Sequence, residues 1–91
     1  MSRGRYRVEL APAAQRQLRK LPPGVAAGLR GPILALALEP RPPGATKLEG
    51  SDFWRIRTGD VRVLYATDDV NALVIVLRVA RRSESTYRRV R

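Results

Sequence analysis

The stretch Phe53–Tyr65, FWRIRTGDVRVLY, decides the fold. Phe53, Arg55 and Arg57 alternate with Trp54 and Ile56, the two-residue period of a strand whose faces differ. Thr58-Gly59-Asp60 supplies turn chemistry. Val61-Arg62-Val63-Leu64-Tyr65 then resumes as a β-branched, apolar run. Together these residues predict a β-hairpin. A regular strand puts Arg55 and Arg57 on one face, with Arg62 just across the turn. Guanidinium groups gathered on a pleated surface point to a phosphate-binding face. Trp54 and Tyr65 are expected in the core.

Outward from the hairpin, the flanks read as the elements that brace it. Arg5–Leu10 alternates Tyr6, Val8 and Leu10 against Arg5, Arg7 and Glu9, a half-buried strand. Ala11-Pro12 opens a helix, because proline suits a first turn. Ala14, Leu18 and Leu21 form its apolar stripe, and Pro22-Pro23-Gly24 ends it and starts another. Val25, Leu29, Ile33, Leu36 and Ala37 fit a second helical stripe. Gly31-Pro32 predicts a kink or restart within it. Glu39–Ala45, EPRPPGA, is a proline-rich connection. Past the hairpin, Asp68-Asp69-Val70-Asn71 is a turn, and Ala72–Ala80, ALVIVLRVA, predicts a central strand buried on both faces for most of its length. Ser83–Arg91 is a polar tail, with Ser83 placed to cap one or two helical turns. The predicted order is β-α-α-β-β-β plus a tail. This is an α+β fold with a helical hairpin on one face of a small antiparallel-rich sheet.

Ninety-one residues make one small domain, 1–91. With neither cysteine nor histidine, disulfides, thiolate chemistry, the commonest general base and the usual zinc sites are excluded. No cofactor and no metal are expected. The start, MSRGRYRVEL, lacks the apolar run of a signal peptide, and no stretch approaches the ~18 apolar residues of a membrane span. The expected compartment is the cytoplasm. Eighteen Lys+Arg against eight Asp+Glu give a net charge of +10, and all but Lys20 and Lys47 of those eighteen are arginine. Such a balance points to nucleic acid or an acidic protein as partner. Aromatic residues are only 5%, so phosphate contacts, not a platform of stacked bases, are expected to dominate.

These residues, in this order, resemble the RelE/ParE superfamily of bacterial toxins from toxin–antitoxin modules. The resemblance is carried by Tyr6-Arg7-Val8 before Ala13–Leu21, Pro40-Arg41-Pro42 before Lys47-Leu48, and Trp54-Arg55-Ile56-Arg57. Gly59–Tyr65, Val79-Ala80-Arg81-Arg82 and Tyr87-Arg88 complete it, over nearly the whole chain. It implies a microbial RNase-type fold. In the RelE branch it implies a sheet face that enters the ribosomal A site and cuts mRNA by attack of a ribose 2′-hydroxyl on the adjacent phosphate. Matched residue by residue, the resemblance nominates Arg62, Arg82 and Tyr87 as catalytic and Arg55, Arg57 and Arg81 as substrate-binding. Whether Arg81 or Arg82 is the site arginine stays open. The RelE branch carries lysines where Arg55 and Arg57 stand. Arginine holds its proton too tightly to shuttle it, so these two are expected to clamp phosphate.

Tyr87 is then the candidate base, its phenolate favoured by Arg81, Arg82, Arg88 and Arg89 nearby in sequence. Arg78 interrupts the apolar run and either joins the phosphate face or reaches water. Arg62 serves phosphate or pairs with Asp60 or Asp52. A carboxylate base among Glu49, Asp52 and Asp60 is the remaining option. The resemblance also implies a cognate antitoxin. It implies the ribosome and mRNA as partners if the chain is RelE-like. If it is ParE-like, the partner is DNA gyrase, inhibited by binding without nuclease activity. A nontoxic RNA-binding relative is the third reading.

Overall fold

A computed structural model describes residues 5–81. Arg82 and Tyr87, and the Ser83 cap expected for the tail, lie outside the described residues. Strand β1 (Arg7–Leu10) leads into helices α1 (Pro12–Lys20) and α2 (Pro23–Ala35). Four strands follow: β2 (Thr46–Lys47), β3 (Phe53–Thr58), β4 (Val61–Asp68) and β5 (Leu73–Arg81). They form one sheet in the order β1-β5-β4-β3-β2, with β1 parallel to β5 and every other pair antiparallel. The predicted architecture holds, with one added element, the two-residue edge strand β2. Thr46 and Lys47 pair with Arg55 and Trp54 and carry no apolar pattern that would announce a strand.

The helices cover one face of the sheet. Ala14 of α1, Leu29 and Ile33 of α2 and the following Leu36 are buried against Ile56, Val61, Val63, Tyr65, Val74, Val76 and Val79. α1 starts with proline in its first turn and no side-chain cap, and ends on Arg19 and Lys20, which complement the carbonyl end of its dipole. α2 does not restart. It runs unbroken from Pro23 to Ala35 with Pro32 inside. Pro32 has no N–H for the carbonyl of Gly28, and Gly28 is exposed.

β5 is not buried on both faces. Val74, Val76 and Val79 are buried, Leu73, Ile75 and Leu77 are half-buried, and Arg78 and Ala80 are exposed. The helices pack on one side only, and an antiparallel-rich sheet tolerates a face open to water. The spacing of the buried valines changes at Leu77. Leu64 pairs with Arg78 and Tyr65 with Val76, so Leu77 is an extra, unpaired residue. This bulge returns Val79 to the core and turns Arg78 to the open face. It falls where β1 has already ended, since Leu10 is level with Val76. The Val79 N–H is taken instead by Gln17 Oε1 of α1 at 2.7 Å.

The proline-rich connection is pinned, not loose. The Tyr65 hydroxyl donates to the Pro40 carbonyl at 2.6 Å. Arg41 donates to Thr67 Oγ1 at 2.9 Å and to both Asp69 carboxylate oxygens at 3.1 Å, and its guanidinium lies 5.8 Å from the Trp54 ring centre. Tyr6 adds a 2.7 Å hydrogen bond to Asp69 Oδ1. These bonds tie β1, the connection and the end of β4 together across 63 residues of sequence.

Tyr65→Phe is expected to cost about 1 kcal/mol, because the Pro40 carbonyl loses its donor while the ring keeps its packing. Thermal unfolding checks this as a fall in Tm of about 4–8 °C. Asp69 is held below the ordinary 3.8 by the Tyr6 hydrogen bond and then by Arg41. A carboxyl with a depressed pKa adds stability above its unfolded value and loses it as pH falls through the folded one. The Tm gap between wild type and Asp69→Asn is therefore expected to be full at neutral pH and to close below pH 3.8. A gap that persists in strong acid would remove Asp69 from the latch.

Candidate functional site

The register of the sheet sorts the arginines by face. Arg57 stands directly opposite Arg62, and Arg62 opposite Ala80. One row along, Arg55, Leu64 and Arg78 are level with one another. Directly paired residues share a face, with Cβ atoms about 4.5–5.5 Å apart. Arg55, Arg57, Arg62 and Arg78 therefore occupy one end of the open face, the side away from the helices. Ile56, Val63 and Val79 take the other face of the same strands. The predicted clustering of Arg55, Arg57 and Arg62 is present, and Arg78 joins it through the bulge.

Among the described residues, this end of the sheet carries no compensating acid. Among the described residues, the ion pairs are Arg7–Glu9, Arg41–Asp69 and Arg81–Asp60, and none includes Arg55, Arg57, Arg62 or Arg78. Glu9 and Asp68 share the open face but lie toward its far end, where Glu9 binds Arg7 and Asp68 accepts from Asn71. Asp60, the partner considered for Arg62, is bound by Arg81 Nε at 3.2 Å instead. Like charges directly opposite across two strands are destabilising. A face that served only the fold would not set Arg57 against Arg62. An anion with several acceptor oxygens, above all a phosphate backbone, relieves the repulsion.

Arg81 is not brought to this cluster. It pairs with Val61, whose side chain is in the core, so it leaves the strand on the opposite face and closes on Asp60. Val61 to Arg81 thus frames the end of the sheet, whereas Ala80 is the β5 residue level with Arg62.

The described tyrosines are both committed elsewhere. Tyr65 is fully buried on the helix side, and burial pushes its phenol up to about 12. The Tyr6 phenol is also raised, chiefly by its hydrogen bond to Asp69. Neither can take a proton from a ribose hydroxyl near neutral pH. Glu49 and Asp52 sit exposed in the loop before β3. Among the described residues no three acidic side chains gather as a cation would require. An apolar depression of about 510 Å³ lies on the other side, lined by Val8, Leu10, Leu18, Leu29 and Ile33. Apart from Arg30, its lining is apolar.

What sequence reasoning missed here is the brace. Gln17 is a polar residue on the same face of α1 as Ala14 and Leu21, and nothing in its neighbours marks it as the cap of a strand. Arg41 and Asp69 are 28 residues apart, and only the folded chain pairs them.

Comparison with known proteins agrees with this geometry. The family described as "ParE toxin of type II toxin-antitoxin system, parDE" matches residues 8–86. A curated relative, Toxin RelE of Mycobacterium tuberculosis, is 37% identical over 84 residues, covering 88% of this chain and 84% of that protein. The toxin–antitoxin complex RelBE2 from Mycobacterium tuberculosis contains a chain of similar structure, with a TM-score of 0.80 and 32% identity over 90% of this chain and 97% of that one. The RelE–RelB complex of Pyrococcus horikoshii OT3 gives a TM-score of 0.77 and 28% identity over 87% and 97%. The chain belongs to the ParE toxin family, within the RelE/ParE superfamily, and is a toxin of a type II toxin–antitoxin system.

Proposed function

We propose that the chain is a RelE-type endoribonuclease that cuts mRNA on the ribosome. The observation that carries this reading is the set Arg55, Arg57, Arg62 and Arg78 on one open sheet face, without an acidic partner among the described residues. Cleavage needs charge stabilisation at a phosphate in the course of gaining a fifth oxygen. The 2′-oxygen bonds to phosphorus as its proton leaves. The P–O5′ bond breaks, the 5′-oxygen takes up a proton, and a 2′,3′-cyclic phosphate remains. Arg55 and Arg57 hold and orient the backbone. Arg62, with Arg82, neutralises the developing negative charge. Tyr87 serves as base, since Tyr6 and Tyr65 are committed to the fold.

The gyrase-inhibiting reading keeps one specific support, the ParE description of the matching family. RelE-type relatives at 37% and 32% identity and the arginine face favour the nuclease. A cognate antitoxin is proposed as partner in either case. The solved relatives RelBE2 and RelE–RelB are toxin–antitoxin complexes, and a +10 chain suits an acidic segment that folds on binding.

Mapping mRNA 5′ ends after induction tests the choice. Arg62→Ala is expected to lower cleavage about 10²–10³-fold and relieve growth arrest. Its Tm should equal or exceed wild type, since a facing like-charge pair costs about 0.2–1 kcal/mol. Tyr87→Phe should abolish the same ends. Undiminished toxicity in both variants would sink the site assignment, and a DNA-damage response with intact mRNA would transfer the chain to the gyrase reading.

A further inference from the structure

Phe53 is the exposed aromatic of the arginine face. It is 39% exposed, although it begins a strand whose other apolar positions, Trp54 and Ile56, turn to the helix side. It shares the open face with Arg55 and Arg57 by simple alternation. A strand rises about 3.3 Å per residue, so its Cα lies about 6.6 Å along the strand from that of Arg55 and about 13 Å from that of Arg57. Opposite it stands Ala66, followed by Ile75. The small side chain leaves the ring uncovered and gives an apolar floor beside it. The backbone under the ring is fixed on both sides: the Phe53 N–H donates to Ser51 Oγ at 3.1 Å, and its carbonyl accepts from Leu48 N–H at 2.9 Å. Ser51 Oγ in turn donates to the Leu48 carbonyl at 3.0 Å. An exposed ring on an anchored backbone, in line with guanidinium groups, is the layout of a base-stacking position beside a phosphate track.

We propose that Phe53 stacks the base of a nucleotide flanking the phosphate held by Arg57 and Arg62, within the single-stranded RNA that the nuclease reading already supplies. The proposal rests on the nuclease reading and adds a residue to it. In a duplex both faces of every base are already covered, so the ring requires an unpaired one. Stacking accepts any base, so Phe53 contributes affinity and placement without sequence preference. Its distance from Arg57 assigns it to a neighbouring nucleotide, not to the one that is cut.

The full-length chain and its variants are titrated, in low salt, with a fluorescent single-stranded RNA of about twelve nucleotides and with inorganic polyphosphate of similar charge, which has no bases. Phe53→Leu is expected to weaken RNA about 5- to 150-fold and leave polyphosphate unchanged, and Phe53→Trp to restore RNA binding. Arg62→Ala should weaken both. A Phe53→Leu variant that binds RNA like wild type overturns the proposal. So does a loss shared by polyphosphate, since no stacking is lost there, and so does a loss confined to antitoxin binding, which would make Phe53 a protein contact. Failure of the nuclease reading is read separately, from intact mRNA in cells expressing the wild-type chain.

Discussion

Leu77 is one residue more than β4 can pair with, and the division of the sheet into two working faces depends on it. Without the extra residue, strict alternation from Val74 and Val76 would carry Arg78 into the core and Val79 out to water. A guanidinium buried there without a partner would cost several kcal/mol. The bulge removes that conflict and turns the reversal to function, because Arg78 then stands level with Leu64 and Arg55. It also disrupts the ladder locally. The Val79 N–H looks toward an edge that β1 no longer covers, and Gln17 fills the gap. One helix side chain thus secures the part of β5 that reaches the arginine face. Sequence position gives no hint of this, for Gln17 and Val79 are 62 residues apart.

The open face runs from cationic to mixed. At one end lie Arg55, Arg57, Arg62 and Arg78; across the middle, Phe53, Ala66 and Ile75; at the other end, Glu9 and Asp68 with their own partners Arg7 and Asn71. Among the described residues, acids are therefore present on this face but kept from its cationic end. Asp60, the nearest in sequence to Arg62, is held by Arg81 on the other face. Folding alone would favour an acid opposite Arg57 or Arg62. The unrelieved repulsion is a local conflict of the kind that natural sequences concentrate at functional sites.

Much of this arrangement is legible in the sequence. Alternation in Phe53–Tyr65 gives the hairpin, the shared face of Arg55 and Arg57, and the inward turn of Trp54 and Tyr65. The helical stripe through Val25, Leu29, Ile33 and Leu36 gives α2. Three features are not legible there, each for a physical reason. Pro32 suggests a break, but the residue that loses the hydrogen bond, Gly28, is exposed, where the loss is tolerable. ALVIVLRVA suggests burial on two faces, yet periodicity does not reveal how many layers cover a sheet. The clue available is the charge at Arg78, whose conflict with the apolar parity foretells the bulge. Arg81 and Arg82 are adjacent and identical in type, so composition cannot separate them. The pairing of Arg81 with Val61 places Arg81 away from the cluster, and Arg82 lies outside the described residues.

On the nuclease reading, the described part of the chain supplies only part of the proposed site. Its open end supplies charge, and its groups with shifted protonation all lie elsewhere: Tyr6, Arg41 and Asp69 in the latch, Tyr65 in the core beneath it, Asp68 in the turn beside it. The Tyr6, Arg41 and Asp69 shifts arise from the hydrogen bonds that hold the proline-rich connection, that of Tyr65 from burial, and that of Asp68 from its hydrogen bonds with Asn71. No described side chain on the arginine end is suited to exchange a proton near neutral pH. A nuclease built on this face must therefore separate two tasks that many active sites combine in one cluster. On that reading the described arginines are proposed to bind and polarise the phosphate, and Tyr87 is the candidate within the chain for carrying the proton. Such a division also explains why arginine serves where a proton-exchanging lysine would otherwise be expected. Once transfer is assigned elsewhere, the residues at 55 and 57 need only permanent charge and two-point contact with phosphate oxygens, and arginine supplies both.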